Sequence, residues 1–239
     1  MTTPTTVTSI LKSGIAQNLY THSPSQLKAS KYLTSLANIL NARHEASQLL
    51  KLPPPPPQGA FLRPRRVSPS FFPSSSPPGP RRLRGAFIHG PVGSGKTLLM
   101  DAFHATLRTT KKRRVHFHEF LQSVHKEIHA LRTSAYAEGS PSPRRHDPIA
   151  SVGLAWSRSA EVLCLDEFQV TDVFDALMLS SLLRNMLDEG VVLVCTSNRE
   201  VGRLYEGGVN YEYFRPTLDR IRAHAKEIEV GDGTDHRLG

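Results

Sequence analysis

One glycine-rich segment of the chain has the residue types and spacing needed to hold a phosphate chain. Residues 90–97 read Gly-Pro-Val-Gly-Ser-Gly-Lys-Thr, which matches the Walker A pattern G-x-x-x-x-G-K-[ST] at every fixed position. Glycines let the backbone bring amide N–H groups against phosphate, and the helix that follows adds partial positive charge. In this pattern the lysine reaches the β- and γ-phosphates, and the threonine hydroxyl ligates Mg²⁺. The predicted ATP-binding residues are Gly90, Val92, Gly93, Ser94, Gly95, Lys96 and Thr97, of which Lys96 is also a predicted catalytic residue and Thr97 a predicted Mg²⁺ ligand.

Two acidic residues follow a run of four apolar residues and supply the second part of this chemistry. The run from Val162 to Leu165 predicts a buried strand, and Asp166 and Glu167 stand at its carboxyl end, the edge where open α/β sheets bind ligands. There Asp166 would hold Mg²⁺, directly or through water, and Glu167 would activate the attacking water as a general base. Such a pair alone often only caps the next helix. About seventy residues after a Walker A pattern, it becomes strong evidence for phosphoryl chemistry.

A third polar group ends a later apolar run. Thr196, Ser197 and Asn198 follow the run that starts at Val191, and in a parallel sheet this position lies beside the two sites above. Asn198 would then hydrogen-bond the γ-phosphate or the attacking water as a third catalytic residue. An ordinary turn after a strand explains the same residues equally well, so spacing alone leaves both interpretations open.

Strand-like and helix-like segments alternate through residues 85–239, and this alternation predicts the scaffold that brings these groups together. Gly190 ends an apolar helical stripe, and Gly, Ser and Pro predict a loop near residues 134–146. Short β-branched runs separated by helices favour a parallel sheet covered on both faces, so the predicted fold is an α/β P-loop NTPase. Strands are predicted at 85–89, 115–118, 162–165 and 191–194, with a fifth near 228–230, and helices at about 95–109, from the second strand through 131, and at 172–189.

Basic charge is concentrated in the first part of the chain. The 239 residues carry a net charge of +9, but residues 1–100 hold +11 and residues 101–239 hold −2. A nucleic-acid binder needs basic charge on its folded surface, so this distribution argues against that class. No apolar run approaches the roughly 18 residues that a membrane-spanning helix needs. Both cysteines, Cys164 and Cys195, lie inside apolar runs, which excludes a disulfide scaffold or a four-thiolate zinc site and predicts buried small side chains.

Composition divides the chain into three parts. Residues 1–51 are hydroxyl-rich, contain a late helical stripe, and have no acid before Glu45. Such starts are typical of mitochondrial targeting segments, but an ordinary amphipathic helix fits equally well, which leaves a mitochondrial or a cytoplasmic location open. Residues 52–84 hold eleven of the eighteen prolines and predict an extended Pro/Arg-rich linker. Residues 85–239 form the predicted ATPase core.

Four motifs in one order resemble a known family. They are FIHGPVGSGKTLLMD, VHFHEF, LCLDEFQVTD and TSNR, at residues 87–101, 115–120, 163–172 and 196–199. Together they resemble the ZapE and ATPase-family-gene (lactation-elevated type) group of AAA+ ATPases. The resemblance implies an AAA+ core, Mg²⁺-dependent ATP hydrolysis, a sensor-1 role for Asn198, and a homo-oligomer. For eukaryotic members it also implies mitochondrial protein quality control and peripheral association with the inner membrane.

Two features depart from that family's pattern. Tyr211 stands where members tend to carry an arginine after the Gly-x-Asn turn, and Arg215, one helical turn later, is the remaining candidate for an arginine finger. In AAA+ proteins a helical lid with a sensor-2 arginine follows the core. We expect no such lid in these 239 residues, which predicts a C-terminally truncated chain. A missing lid and finger would favour a second function, a nucleotide-binding module with little or no turnover.

Three further groups of residues have alternative interpretations. His125 and His129 are spaced for zinc on one helix face, but the glutamate between them is not where the pattern H-E-x-x-H places it. Phe117 and Phe120 are expected in the core rather than in a base-stacking platform. The run Lys-Lys-Arg-Arg at 111–114 is expected to be solvated surface. As a nucleic-acid patch, this run would support a third function, an AAA+ loader that acts on nucleic acid.

Overall fold

The computed structural model describes all four predicted motifs. The predicted linker at 52–84 lies outside the described residues except for its last two positions, and most of the predicted loop at 134–146 lies outside them as well. The described residues are 6–17, 23–49, 83–137 and 147–231.

A parallel sheet forms the centre of the fold. Within the described residues it has five strands, in the order β2-β3-β4-β1-β5, and every neighbouring pair is parallel. Strands β3 and β4 are buried at every residue, which explains why their sequences are unbroken apolar runs. Because β4 lies between β1 and β3, the segments that follow these three strands meet at one edge of the sheet. The strands are β1 (Gly85–His89), β2 (Lys112–His116), β3 (Val162–Asp166), β4 (Val192–Ser197) and β5 (Ala225–Glu229).

Helices cover both faces of the sheet, as predicted. Helices α4 to α7 pack on one face in a core that includes Phe87 and Leu163, and helices α1 to α3 pack on the other face in a core that includes Ile88 and Cys164. Successive residues of the buried strands β1, β3 and β4 therefore pack into opposite cores. The helices are α1 (Val7–Ala16), α2 (Pro24–Leu49), α3 (Lys96–Thr106), α4 (Phe117–Ala137), α5 (Pro148–Ser159), α6 (Val173–Asp188) and α7 (Tyr211–His224), and a 3₁₀ turn (Val201–Arg203) follows β4.

The two N-terminal helices belong to the core on the α3 face. Ala29 and Leu33 of α2 are fully buried in one cluster with Leu99 and Phe103 of α3. The Tyr32 hydroxyl also donates to the carbonyl oxygens of Arg84 and Gly85, where β1 begins. These contacts join residues 23–49 to the sheet, while the division of the chain at residues 51 and 84 stays a prediction.

The second strand differs from its prediction in position and in environment. It begins three residues earlier, at Lys112, and it ends at His116 because α4 begins at Phe117, whose side chain is buried. The Lys112 ammonium donates to the carbonyl oxygens of His104 and Leu107 at 2.8 and 2.7 Å. The Arg113 guanidinium lies 4.5 Å from the centre of the Trp156 ring. Lys111 and Arg113 are exposed, as expected of solvated surface, whereas Lys112 and Arg114 are only partly exposed, so the expectation holds for half of this run.

Helix α5 is not among the predicted elements. Asp147 caps it by accepting a hydrogen bond from the Ile149 N–H at 2.9 Å, and Pro148 opens its first turn. A Cβ on Gly153 would lie 3.1 Å from the Cβ of Asn185, so this glycine lets α5 approach α6 closely. The buried residues of α5 are Val152, Gly153 and Trp156.

Candidate nucleotide-binding site

The loop between β1 and α3 presents an uncapped helix N-terminus. Gly93 and Gly95 both adopt φ = 82°, in the left-handed region that favours glycine. Gly95 is the N-cap of α3, and no side chain accepts a hydrogen bond from the first turn there. The first amides of α3 lack intrahelical partners by geometry, and the helix dipole adds positive charge at this end. The loop therefore has the properties of an anion site, which fits the triphosphate that its sequence predicts.

Gly90 fixes the start of this loop against two strands. Its N–H donates to the carbonyl oxygen of Ser197 at 3.2 Å, and a Cβ at this position would lie 1.8 Å from the carbonyl oxygen of Val230. A larger residue at 90 would displace β5 or the loop. Val92, in contrast, has 57% of its surface exposed to solvent.

The Lys96 ammonium is held inside the loop. Only 8% of Lys96 is exposed, and its Nζ donates to the carbonyl oxygens of Gly90 and Pro91 at 2.9 and 2.6 Å. The Ser94 Oγ lies 3.4 Å from the same nitrogen. A full positive charge is thereby fixed within the loop at the N-terminus of α3, and this charge favours binding of an anion.

A hydrogen bond joins the two predicted magnesium residues. The Thr97 Oγ1 donates to Asp166 Oδ1 at 3.1 Å, across 69 positions of sequence. Asp166 is 1% exposed, and its Oδ1 also accepts from Thr196 Oγ1 at 2.5 Å. Its other oxygen, Oδ2, accepts from Arg114 Nη2 at 2.9 Å. One hydroxyl and one carboxylate, completed by phosphate oxygens and water, are a donor set that Mg²⁺ takes, so the residues present fit this metal.

Glu167 and Asn198 share a cleft at the same edge of the sheet. Glu167 has φ = 58°, a conformation that is strained for a non-glycine residue, and its N–H donates to Thr196 Oγ1 at 3.0 Å. Both side chains are exposed to solvent. The structure therefore brings both predicted catalytic residues together, while their roles stay predictions. The cleft has a volume of about 330 Å³ and is lined by Glu167, Phe168, Gln169, Ser197, Asn198, Arg199 and Leu204.

Gln26 is a contact of the phosphate loop that the sequence motifs do not reveal. Its Nε2 donates to the carbonyl oxygen of Ser94 at 3.0 Å, and a Cβ on Gly95 would lie 2.8 Å from this nitrogen. Its Oε1 is buried without a hydrogen-bond partner among the described residues. Gln26 precedes Ala29 and Leu33 on the buried stripe of α2, and a polar residue at such a position is the signal that points to a specific partner.

Cysteine and histidine chemistry adds no further site. Burial raises the pKa of the Cys164 thiol to about 12 and also raises the pKa of Cys195, so both are protonated at neutral pH, and the prediction of buried side chains is confirmed. His125 lies 3.0 Å from Asp175. Across the described ranges no three His, Cys, Asp or Glu side chains gather to hold a metal, so the zinc interpretation gains no support.

Comparison with known proteins agrees with these motifs. A family model for AFG1-like ATPases matches residues 5–239. The chain is 36% identical over 158 residues to lactation elevated protein 1 homolog B of Danio rerio, which covers 66% of this chain and 31% of that protein. It is also 36% identical over 156 residues to cell division protein ZapE of Escherichia coli (strain K12), which covers 65% of this chain and 39% of that protein.

The chain thus spans between 31% and 39% of the length of these curated relatives. Among solved structures, the crystal structure of DnaI matches with a TM-score of 0.45 and 21% identity, covering 63% of this chain and 75% of that one.

Proposed function

The chain belongs to the AFG1-like ATPase family, and on that premise we propose that it binds Mg·ATP at the β1–α3 loop and hydrolyses the γ-phosphate. The observation that carries this proposal is the hydrogen bond from Thr97 to Asp166, which joins the Walker A helix to the end of β3. Asp166 directly precedes Glu167, which lines the cleft together with Asn198, and this adjacency supports a single site for phosphate, metal and water.

Each residue of the site has a distinct task in this proposal. The amides at the start of α3 and the Lys96 ammonium hold the β- and γ-phosphates. Mg²⁺, when bound by Thr97 and Asp166, supplies positive charge to the phosphate oxygens. The Glu167 carboxylate accepts a proton from the attacking water, and the Asn198 amide orients that water or the γ-phosphate. Because Glu167 is exposed in an open cleft, water reaches it directly.

The test compares turnover with binding in a single variant. We expect Glu167→Gln to lower steady-state phosphate release about 10²- to 10⁴-fold, the usual contribution of a general base. Its affinity for a fluorescent ATP analogue should stay within about twofold of the wild type, because Glu167 lies in the cleft and not in the phosphate loop. Glu161→Gln is the matched control, since Glu161 precedes the other end of β3.

Two results would change the proposal in different ways. Equal turnover of Glu167→Gln and the wild type would remove the base assignment. A wild-type chain that binds the analogue and releases no phosphate would instead support the nucleotide-binding module with little turnover.

We also propose a homo-oligomer in which Arg215 acts on the site of a neighbouring subunit. Arg215 lies on α7 with 64% of its side chain exposed, 3.6 Å from Glu212 of the same helix, and it does not line the cleft. This exposed position outside the cleft supports an action between subunits. In mixing experiments, inactive Arg215→Ala and Glu167→Gln chains should restore turnover together, because each supplies what the other lacks. Failure to complement, with oligomers present, would contradict the finger assignment.

The final part of the proposal concerns cellular location and role. We propose that the protein lies in mitochondria, contacts the inner membrane peripherally and acts in protein quality control. This part rests on the four motifs that resemble a family whose eukaryotic members act there. No helix in the described ranges is long and apolar enough to cross a membrane. Because Val7 and Leu11 of α1 are buried in the same core as Leu33 of α2, any targeting cleavage after residue 6 would remove part of that core. Cell fractionation and N-terminal sequencing test both points, and a purely cytoplasmic distribution would contradict this part.

A further inference from the structure

Arg114 bridges two acids beside the predicted magnesium site. Its Nη2 donates to Asp166 Oδ2 at 2.9 Å, and its Nε forms an ion pair with Asp101 of α3. The register of the sheet explains this reach, because Arg114 pairs with Cys164 of β3, two residues before Asp166. The Arg114 side chain is 26% exposed, against 1% for Asp166, so the contact with Asp166 lies in a largely dry environment.

The contacts of Asp166 divide its two oxygens between different partners. Oδ1 accepts hydrogen bonds from the hydroxyls of Thr97 and Thr196, and Oδ2 accepts from Arg114. His116 Nδ1 lies 3.9 Å from Oδ2, which is too long for a hydrogen bond. Arg114 is therefore the described donor that keeps Oδ2 occupied and turned away from Thr97.

We propose that Arg114 determines which divalent cation the site accepts, by holding Oδ2 of Asp166 so that only Oδ1, the oxygen beside Thr97, is turned toward the metal. Arg114 acts through Asp166 and is a positioning residue. This inference rests on the proposed function, since it assumes that a metal–nucleotide complex binds next to Thr97 and Asp166.

The coordination chemistry of the two common divalent cations gives the direction of the effect. Mg²⁺ requires near-ideal octahedral geometry and takes carboxylates through one oxygen. Ca²⁺ is larger, takes six to eight oxygens, and readily accepts both oxygens of one carboxylate. With Oδ2 held by Arg114, Asp166 offers the arrangement that suits Mg²⁺. Without Arg114 the carboxylate can turn and chelate, which favours Ca²⁺.

The ratio of the nucleotide affinity in Mg²⁺ to that in Ca²⁺ separates this geometric effect from the effect of charge. Removing a guanidinium strengthens the binding of any cation nearby, but Mg²⁺ and Ca²⁺ carry the same charge, so the gain is shared. A general loss of stability also acts on both measurements alike. Only a change in how Asp166 presents its oxygens alters the ratio.

The experiment measures the affinity of the full chain for a fluorescent ATP analogue in Mg²⁺, in Ca²⁺ and in EDTA. We expect Arg114→Met to lower the Mg²⁺-to-Ca²⁺ affinity ratio about tenfold, the lower end of what outer partners of metal ligands contribute. Arg114→Lys should keep the ratio near that of the wild type, because an ammonium can still occupy Oδ2. Arg113→Met is the matched control, since Arg113 is the neighbouring residue on β2 and contacts Trp156.

An unchanged ratio in Arg114→Met would overturn the inference while leaving the proposed function intact. If the methionine variant does not fold, Arg114→Gln replaces it, because the shorter neutral amide cannot bridge Asp101 and Asp166, and a fall in the ratio of about threefold is expected. An unchanged ratio in that variant is equally decisive against the inference. Wild-type binding that is the same in Mg²⁺, Ca²⁺ and EDTA would instead contradict the metal site of the proposed function.

Discussion

The phosphate loop and the hydrolytic cleft lie at one edge of the same sheet, yet they are built differently. On the loop side, Lys96, Asp166 and Gln26 are each less than one-tenth exposed, and all three are hydrogen-bonded to the protein. On the cleft side, Glu167 and Asn198 are open to solvent. The residues predicted to bind phosphate and metal are thus buried, whereas the residues predicted to act on the attacking water are exposed. Substitutions in the loop should change binding and stability together, whereas substitutions in the cleft should change turnover alone.

The largest expected effect lies in the loop. Lys96→Ala should weaken nucleotide binding about 10³-fold, or about 4 kcal/mol, because it removes the cation that holds the β- and γ-phosphates. Isothermal titration with an ATP analogue measures this change. Lys112→Ala is the matched control, since the Lys112 ammonium also donates to carbonyl oxygens, but at the other end of α3. Similar losses of affinity in both variants would mean that the effect is general damage to α3.

The next effect concerns the N-terminal support of the loop. Leu33→Ala should lower the free energy of unfolding by about 3 kcal/mol, because Leu33 is fully buried in the core that α2 shares with α3. Ile39→Ala on the same helix should cost less than about 1 kcal/mol, since Ile39 is 42% exposed. Urea denaturation compares the two. If both variants lowered the free energy of unfolding by the same small amount, α2 would not support the loop.

A smaller effect separates binding from stability within the loop. Gln26→Met loses the hydrogen bond to Ser94 but also removes a buried oxygen that has no described partner. These terms oppose each other, so stability should change by less than about 1 kcal/mol. Nucleotide affinity should fall about fivefold, as the turn at Ser94 and Gly95 loses its support. An unchanged nucleotide affinity would mean that Gln26 contributes only to packing.

The smallest effect is a pH dependence at the far end of α3. Burial, with Lys112 and Arg114 nearby, lowers the pKa of His104 below its ordinary value of 6.5. Below pH 6.5 the unfolded chain therefore takes up a proton that the folded chain resists, and stability falls with pH until the folded-state pKa is reached. Thermal unfolding at pH 7 and 5.5 should show that His104→Leu loses less stability than the wild type, by under about 1 kcal/mol. Equal losses would place the titrating group elsewhere.

The predictable parts of the site are those that contiguous residues specify. The glycines and Lys96 of the loop, and the acids after β3, follow from local patterns, and the structure brings them to one edge. Arg114 and Gln26 were not predicted, because their partners, Asp166 and Ser94, lie 52 and 68 positions away. Their contacts depend on which strand adjoins β3 and on where α2 packs. Local composition describes residues 111–114 as a basic run, and only the register of the sheet turns Arg114 toward an acid.

Helix α2 is tied to α3 at two separated points, and this limits how the two helices can evolve. Gln26 contacts the loop before α3, and Asn41 donates to the carbonyl oxygen of Thr106 at 3.0 Å and accepts from the Arg108 N–H at 2.8 Å, where α3 ends. A single inserted or deleted residue between the two ties would rotate every later side chain by about 100°. The lengths of both helices are therefore matched, and relatives that gain or lose residues should do so outside this pair of anchors.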